Sequence, residues 1–171
     1  MTASSIAEET TQQYALSRRA VEAVIFIGIQ GAGKTTFYRE RFSNTHTHIS
    51  LDVLRTRHRE RFVVEECVAA GRSFVVDNTN VRAAERAVYI EAARRGGFTV
   101  TGYFFDAKPR DALWRNLQRT GKQKIPPAAV MGTWKRLEPP RPEEGFDHLY
   151  TVTRDEADRF VVREWSYQGG S

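Results

Sequence analysis

The sequence predicts an α/β domain: a parallel sheet with helices on both faces. Three observations predict it. Short apolar runs alternate along the chain with segments of helical spacing. The first run, Ala23-Val24-Ile25-Phe26-Ile27, is continuous, as in a strand buried on both faces. That run ends in a glycine-rich loop that opens a helix.

The elements follow in order. Residues 1–20 are polar and read as an N-terminal extension, helical over about residues 6–19. The domain proper is expected over 21–165. Residues 23–27 form the first strand and 35–42 the helix after the glycine loop. A short second strand spans 47–51. One long helix is expected over 52–70, stopped by Gly71. Residues 73–76 make a third buried strand. The helix over 82–95, with Val88 and Ala92 on its inner face, closes at Gly96-Gly97. Residues 98–105 form the fourth strand. A helix over 109–119 starts with proline in its first turn, and another covers 126–137. A fifth strand over 149–152 and a short one over 160–164 complete the domain, and 166–171 read as a loose tail. In such sheets ligands sit at the carboxyl ends of the strands.

The 171 residues fit one domain, with 40% hydrophobic and 27% charged residues, enough apolar matter for a core. Apolar runs fall far short of a membrane span. The N-terminus lacks a secretory pattern. The single cysteine, Cys67, makes no internal disulfide and no cysteine metal cage, so a reducing, cytoplasmic setting is the expectation. The net charge is +5, carried mostly by arginine, the side chain suited to bidentate phosphate contacts. By itself that charge is only a weak pointer to nucleic acid.

Gly28-Ile29-Gln30-Gly31-Ala32-Gly33-Lys34-Thr35 matches G-x-x-x-x-G-K-[ST] in the strand–loop–helix context the motif requires. Its glycines let backbone N–H groups approach phosphates, and the helix start aims its free amides at the same anion. Lys34 would bridge terminal phosphates and Thr35 would ligate Mg²⁺. Gly28, Gly31, Ala32, Gly33, Lys34, Thr35 and Thr36 are therefore the candidate binding set for ATP, with Mg²⁺ as its companion ion.

Two acids leave strand ends. Asp52 follows the second strand and is placed either to accept a proton from an attacking hydroxyl, to help position Mg²⁺, or to cap the next helix. Arg55 follows one helical turn later. Asp77 ends the third apolar strand, where it would hold Mg²⁺ directly or through water, while Asn78 and Asn80 read as turn residues. Arg115 and Arg119, four apart, share a helix face as either a solvated pair or a lid over a transferring phosphoryl group.

Together, the loop, Asp52-x-x-Arg55, Asp77-Asn78-Thr79-Asn80 and Arg115-Asn116-x-x-Arg119 resemble the polynucleotide 5′-hydroxyl kinase domain of the P-loop phosphotransferases. The resemblance extends from about Val21 to Val162. It implies a three-layer P-loop kinase fold with strand order 2-3-1-4-5 and a helical lid. It implies that Asp52 deprotonates a 5′-hydroxyl, that Arg55 grips an acceptor phosphate, and that Arg115 and Arg119 close over ATP. Asp77 matches the third-strand acid. The acceptor would be DNA or RNA. Related kinases of metabolites and antibiotics share the loop, acid and lid, and an ATP-hydrolysing switch without acceptor is a third reading. Many relatives carry phosphatase or ligase domains, for which this length leaves no room; separate repair enzymes would be the partners.

Other features read as ordinary surface or core. Arg57, Arg59 and Arg61 are expected to be solvated, with Glu60, Glu65 and Glu66 close by. His46 and His48 alternate near a strand but lack further metal ligands. Trp114, Trp134 and Trp165 are expected to pack in the core or its rim. Lys122 and Lys124 belong to the lid or to a solvated loop. Arg154 stands just past the fifth strand, where P-loop kinases hold the adenine.

Overall fold

The computed structural model describes residues 21–121 and 124–166. The helix expected over residues 6–19, Lys122 and most of the C-terminal tail lie outside the described residues. β1 (Glu22–Ile27) runs through the middle of the sheet, with residues 23–27 wholly buried. Around it lie β2 (Thr47–Ile49), β3 (Phe74–Val76), β4 (Thr99–Phe105), β5 (His148–Arg154) and β6 (Phe160–Glu164), in the order β2-β3-β1-β4-β5-β6. The first five strands are parallel and stand in the expected 2-3-1-4-5 order. β6 adds an antiparallel edge because a short turn joins it to β5. The Asp155 carboxylate holds that turn, accepting from the backbone N–H groups of Ala157 and Arg159.

Successive side chains of β1 enter opposite cores. Ala23, Ile25 and Ile27 join Val64, Cys67, Tyr89 and Ile90 on one face. Val24 and Phe26 join Phe37, Phe42, Ala112 and Val130 on the other. The first core lies under α3 (Arg57–Ala70) and α4 (Ala83–Arg95); the second lies under α1 (Lys34–Arg41), α5 (Pro109–Leu117) and α6 (Pro127–Arg136). This arrangement makes three layers.

Four expectations need correction. The long helix over 52–70 is two helices, α2 (Leu51–Leu54) and α3, broken at Arg55 with φ 72°. Each has its own cap: the Ser50 hydroxyl accepts from Asp52 N–H at 3.3 Å, and the Thr56 hydroxyl accepts from Arg59 N–H at 3.2 Å. On α4, Val88 is 44% exposed, and the buried face is Arg86, Tyr89, Ile90, Ala92 and Ala93. The helix carrying Arg115 ends at Leu117, so Arg119 lies beyond it rather than on a shared helical face. Trp114 and Trp134 are 65% and 45% exposed, whereas Trp165 packs against Phe104.

Buried Arg86 pins α4 to the loop before β5. Its Nε and Nη2 donate to the two Glu144 carboxylate oxygens at 2.7 and 3.0 Å, and Nη1 donates to the carbonyls of Asn80 and Glu138. Among the described residues no helix is long and apolar enough to cross a membrane.

Candidate active site

The glycine loop leaves β1 and turns into α1. Gly28 N–H donates to Thr79 C=O at 3.0 Å, tying the loop to the end of β3. Two positions demand glycine. Gly31 has φ +80°, and a Cβ there would stand 2.6 Å from the Ala112 carbonyl oxygen. Gly33 has φ +93° and is the N-cap of α1 without a side-chain cap, so amides of the first turn are left for an anion.

Lys34 is buried, and its Nζ donates to Gly28 C=O at 2.9 Å and Ile29 C=O at 2.7 Å. Burial pushes its ammonium down to about 8; Asp77 and Asp52 oppose that shift and Arg119 adds to it. Asp77, Arg119 and Asp52 are thus all within electrostatic reach of Lys34.

Asp77 is almost buried at the end of β3. One carboxylate oxygen accepts from the Thr35 hydroxyl at 2.7 Å and from His48 Nε2–H at 2.8 Å. The His48 ring is itself held flat against Tyr38, centroids 4.1 Å apart. Thr35 and Asp77 offer a hydroxyl and a carboxylate side by side, the hard oxygen donors that suit Mg²⁺. His48 was not among the expected site residues, and on a three-residue strand alternation carries too little signal to reveal it. His46 pairs separately with Glu22 at 3.0 Å, so the two histidines form no joint site. Among the described residues no group of three metal-ligating side chains occurs.

Arg115 and Arg119, the arginines expected to form a lid, relate differently to the loop. Arg115 Nη1 donates to Gly31 C=O at 3.2 Å, and its Nη2 lies 3.7 Å from Asp158. Arg119 acts on Lys34 from beyond the end of α5. Asn116, buried between them, accepts from Ile125 N–H at 2.9 Å and donates to Ile125 C=O, which ties Ile125 to α5.

Beside the loop opens a cleft of about 340 Å³, lined by Ala32, Phe105, Lys108, Arg115, Arg154 and Phe160 among others. The Arg154 guanidinium lies over the Phe160 ring at 4.1 Å, and a Cβ on Gly33 would meet its Nη2 at 2.5 Å. The cleft therefore adjoins the α1 N-terminus, as the position of Arg154 in the sequence implies.

On the opposite side, α2 carries Asp52 into the field of Lys34. Arg55 and Thr36 are exposed and make no side-chain hydrogen bond or ion pair among the described residues. The arrangement thus gathers Lys34, Thr35, Asp52, Asp77, Arg115 and Arg119 about one loop and leaves Arg55 at the rim. Arg57 is exposed as expected, and it also donates to Glu60 at 3.0 Å and to the Tyr89 hydroxyl at 2.9 Å.

A family model described as an AAA domain matches residues 56–140. A bifunctional polynucleotide phosphatase/kinase of Acanthamoeba polyphaga mimivirus is 27% identical over 148 residues, 82% of this chain and 35% of the relative. A bifunctional polynucleotide phosphatase/kinase of Schizosaccharomyces pombe is 23% identical over 77% of this chain and 33% of its own length. The chain spans about one third of the length of these curated relatives. Among solved structures, Chaetomium thermophilum Kti12, in complex with ADP-AlF3, superposes with a TM-score of 0.60 at 16% identity, covering 80% of this chain and 92% of that one. A gluconokinase from Sinorhizobium meliloti 1021 gives 0.54 at 20% identity, covering 80% and 84%. Sequence similarity over about four-fifths of the chain and the solved structures converge on one architecture, and the chain has the P-loop kinase fold.

Proposed function

We propose that the chain is an ATP- and Mg²⁺-dependent kinase that transfers the γ-phosphate of ATP to the 5′-hydroxyl of DNA or RNA. The observation that carries this reading is Asp52, raised on a one-turn helix into the field of Lys34, in a chain similar to polynucleotide phosphatase/kinases. The free amides at the start of α1 and the Lys34 ammonium cradle the phosphates. Bound between Thr35 and Asp77, Mg²⁺ would offset phosphate charge. The base of the nucleotide fits the cleft beside Arg154 and Phe160. Asp52 takes the proton from the 5′-hydroxyl as its oxygen bonds to the γ-phosphorus and the bond to the ADP oxygen breaks. Arg115 and Arg119 leave the loop and close over the charge that accumulates on the transferring group. Arg55, exposed at the rim, receives a phosphate of the acceptor strand.

The test is transfer of labelled γ-phosphate from ATP with Mg²⁺ to 5′-hydroxyl oligonucleotides of DNA and RNA, with Lys34→Ala as control. Label at the 5′ end that vanishes in the control supports the reading. ATP binding without transfer to either polymer rejects it. A small-molecule acceptor is the second reading, favoured by the likeness of fold to a gluconokinase. A panel of sugar and nucleoside acceptors in the same assay separates the two.

A further inference from the structure

α2 is held lightly by its own residues, through Leu54, which packs against the core beneath it. It is a single turn with no buried residue, and an isolated turn of helix has no stability in water. Yet it carries Asp52 and ends at Arg55. Its first amide, Leu51 N–H, donates to Asn78 Oδ1 at 3.0 Å. The other end of that amide, Nδ2, donates to Glu60 Oε2 at 2.7 Å. These two partners fix which way the amide faces, because an N–H needs an acceptor and a carboxylate needs a donor. Glu60 lies on α3 and is 1% exposed. Its second oxygen accepts from the Tyr89 hydroxyl of α4 and from Arg57 Nη1. One buried carboxylate thus joins α3, α4 and the end of β3, and the Asn78 amide passes that rigidity to α2.

A buried carboxylate of this kind is poorly explained by stability, since well-packed apolar side chains generally serve a core as well. It is well explained by the need to aim a hydrogen-bond acceptor. We infer that Asn78 and Glu60 are positioning residues that clamp the first turn of α2, holding Asp52 toward Lys34 and Arg55 toward the acceptor. Asn78 directly follows Asp77, so the same backbone step that places the metal-side carboxylate also places the acceptor-side one. This inference rests on the proposed role of Asp52 and adds to it the residues that aim it.

Two variants of the full chain test it, Asn78→Ala and Glu60→Gln; the second touches neither Asp77 nor Asp52. Amide hydrogen exchange at Leu51 in the nucleotide-free protein should quicken in both, while exchange in β1 stays as in the parent. With a 5′-hydroxyl oligonucleotide acceptor, kcat/KM for the acceptor should fall about 10- to 100-fold, the scale of a misplaced catalytic group. Nucleotide affinity should stay within about twofold, because the clamp does not touch the phosphate loop. The loss should shrink sharply in an Asp52→Asn background, where there is no base left to aim. Unchanged exchange at Leu51, a full additive loss on top of Asp52→Asn, or nucleotide affinity falling in step with turnover would each overturn the inference. If the parent protein transfers nothing to oligonucleotides, the polynucleotide reading fails, and the exchange measurement still decides the clamp.

Discussion

Lys34 carries a charge that its surroundings oppose. Without nucleotide its ammonium is buried against two carbonyls, and burial lowers it to about 8. Phosphates arriving in the loop favour the charged form and raise that value. At pH 8 a sizeable fraction of Lys34 is neutral before binding and protonated after it, so binding takes up protons. The uptake should fade toward pH 6.5, where Lys34 is already charged in both states. Calorimetry of ATP binding at pH 8 in buffers of different ionisation enthalpy should report this uptake, and Lys34→Met should abolish it. Asp52→Asn should lower turnover about 10²- to 10⁴-fold, the usual contribution of a general base, with nucleotide affinity retained. Equal turnover in that variant would remove Asp52 from the mechanism. The motif made Lys34 and Thr35 legible in the sequence. His48, Glu60 and Asn78 were not, because each acts through a partner 18 to 29 residues away. No local spacing marks such a pair.

The segment from α2 to α3 shows what a single element conceals. Residues 52–70 read as one helix because nothing in them is a strong breaker; the break comes from Arg55 in the left-handed region, with Thr56 capping the next turn. A non-glycine residue costs energy in that conformation. Arg55→Gly should therefore raise stability by about 0.5–1 kcal/mol in denaturant unfolding. The same change should weaken oligonucleotide binding and flatten its salt dependence by about one phosphate contact. A destabilised variant, or one with unaltered salt dependence, would separate the backbone role of Arg55 from its charge. The lid follows the same rule. Arg119 is not on the helix of Arg115; the buried Asn116 ties Ile125 to that helix. Asn116→Ala should lower kcat more than it alters nucleotide affinity, as single-turnover and binding measurements would show.

For the molecule as a whole, the two cores lie on opposite faces of the sheet, and β1 serves both. Phe26 is fully buried among Phe37, Phe42, Tyr103 and Phe105. Phe26→Ala should cost about 3–5 kcal/mol of unfolding free energy, measured by chemical denaturation. Arg86→Ala should cost about as much on a different principle, because it strands Glu144 without its bidentate partner. Replacing both, as Arg86→Met with Glu144→Leu, should recover most of that loss. Recovery would show that the pair orients the chain before β5 rather than supplying net stability.

The layer architecture, the parallel sheet and the phosphate loop were legible in the residues alone, since they rest on local patterns: an apolar run, a glycine spacing, a helical period. The acids at the strand ends were legible as candidates for the same reason. What had to wait for the folded chain was everything set between distant segments. The fate of Val88 depends on neighbours packed from elsewhere. So does the bond of His48 to Asp77, and so does the Glu60–Asn78 bridge beneath α2. A hydrogen bond needs its partners within about 3 Å and correctly turned, and only the closed sheet brings side chains so far apart in sequence to that distance.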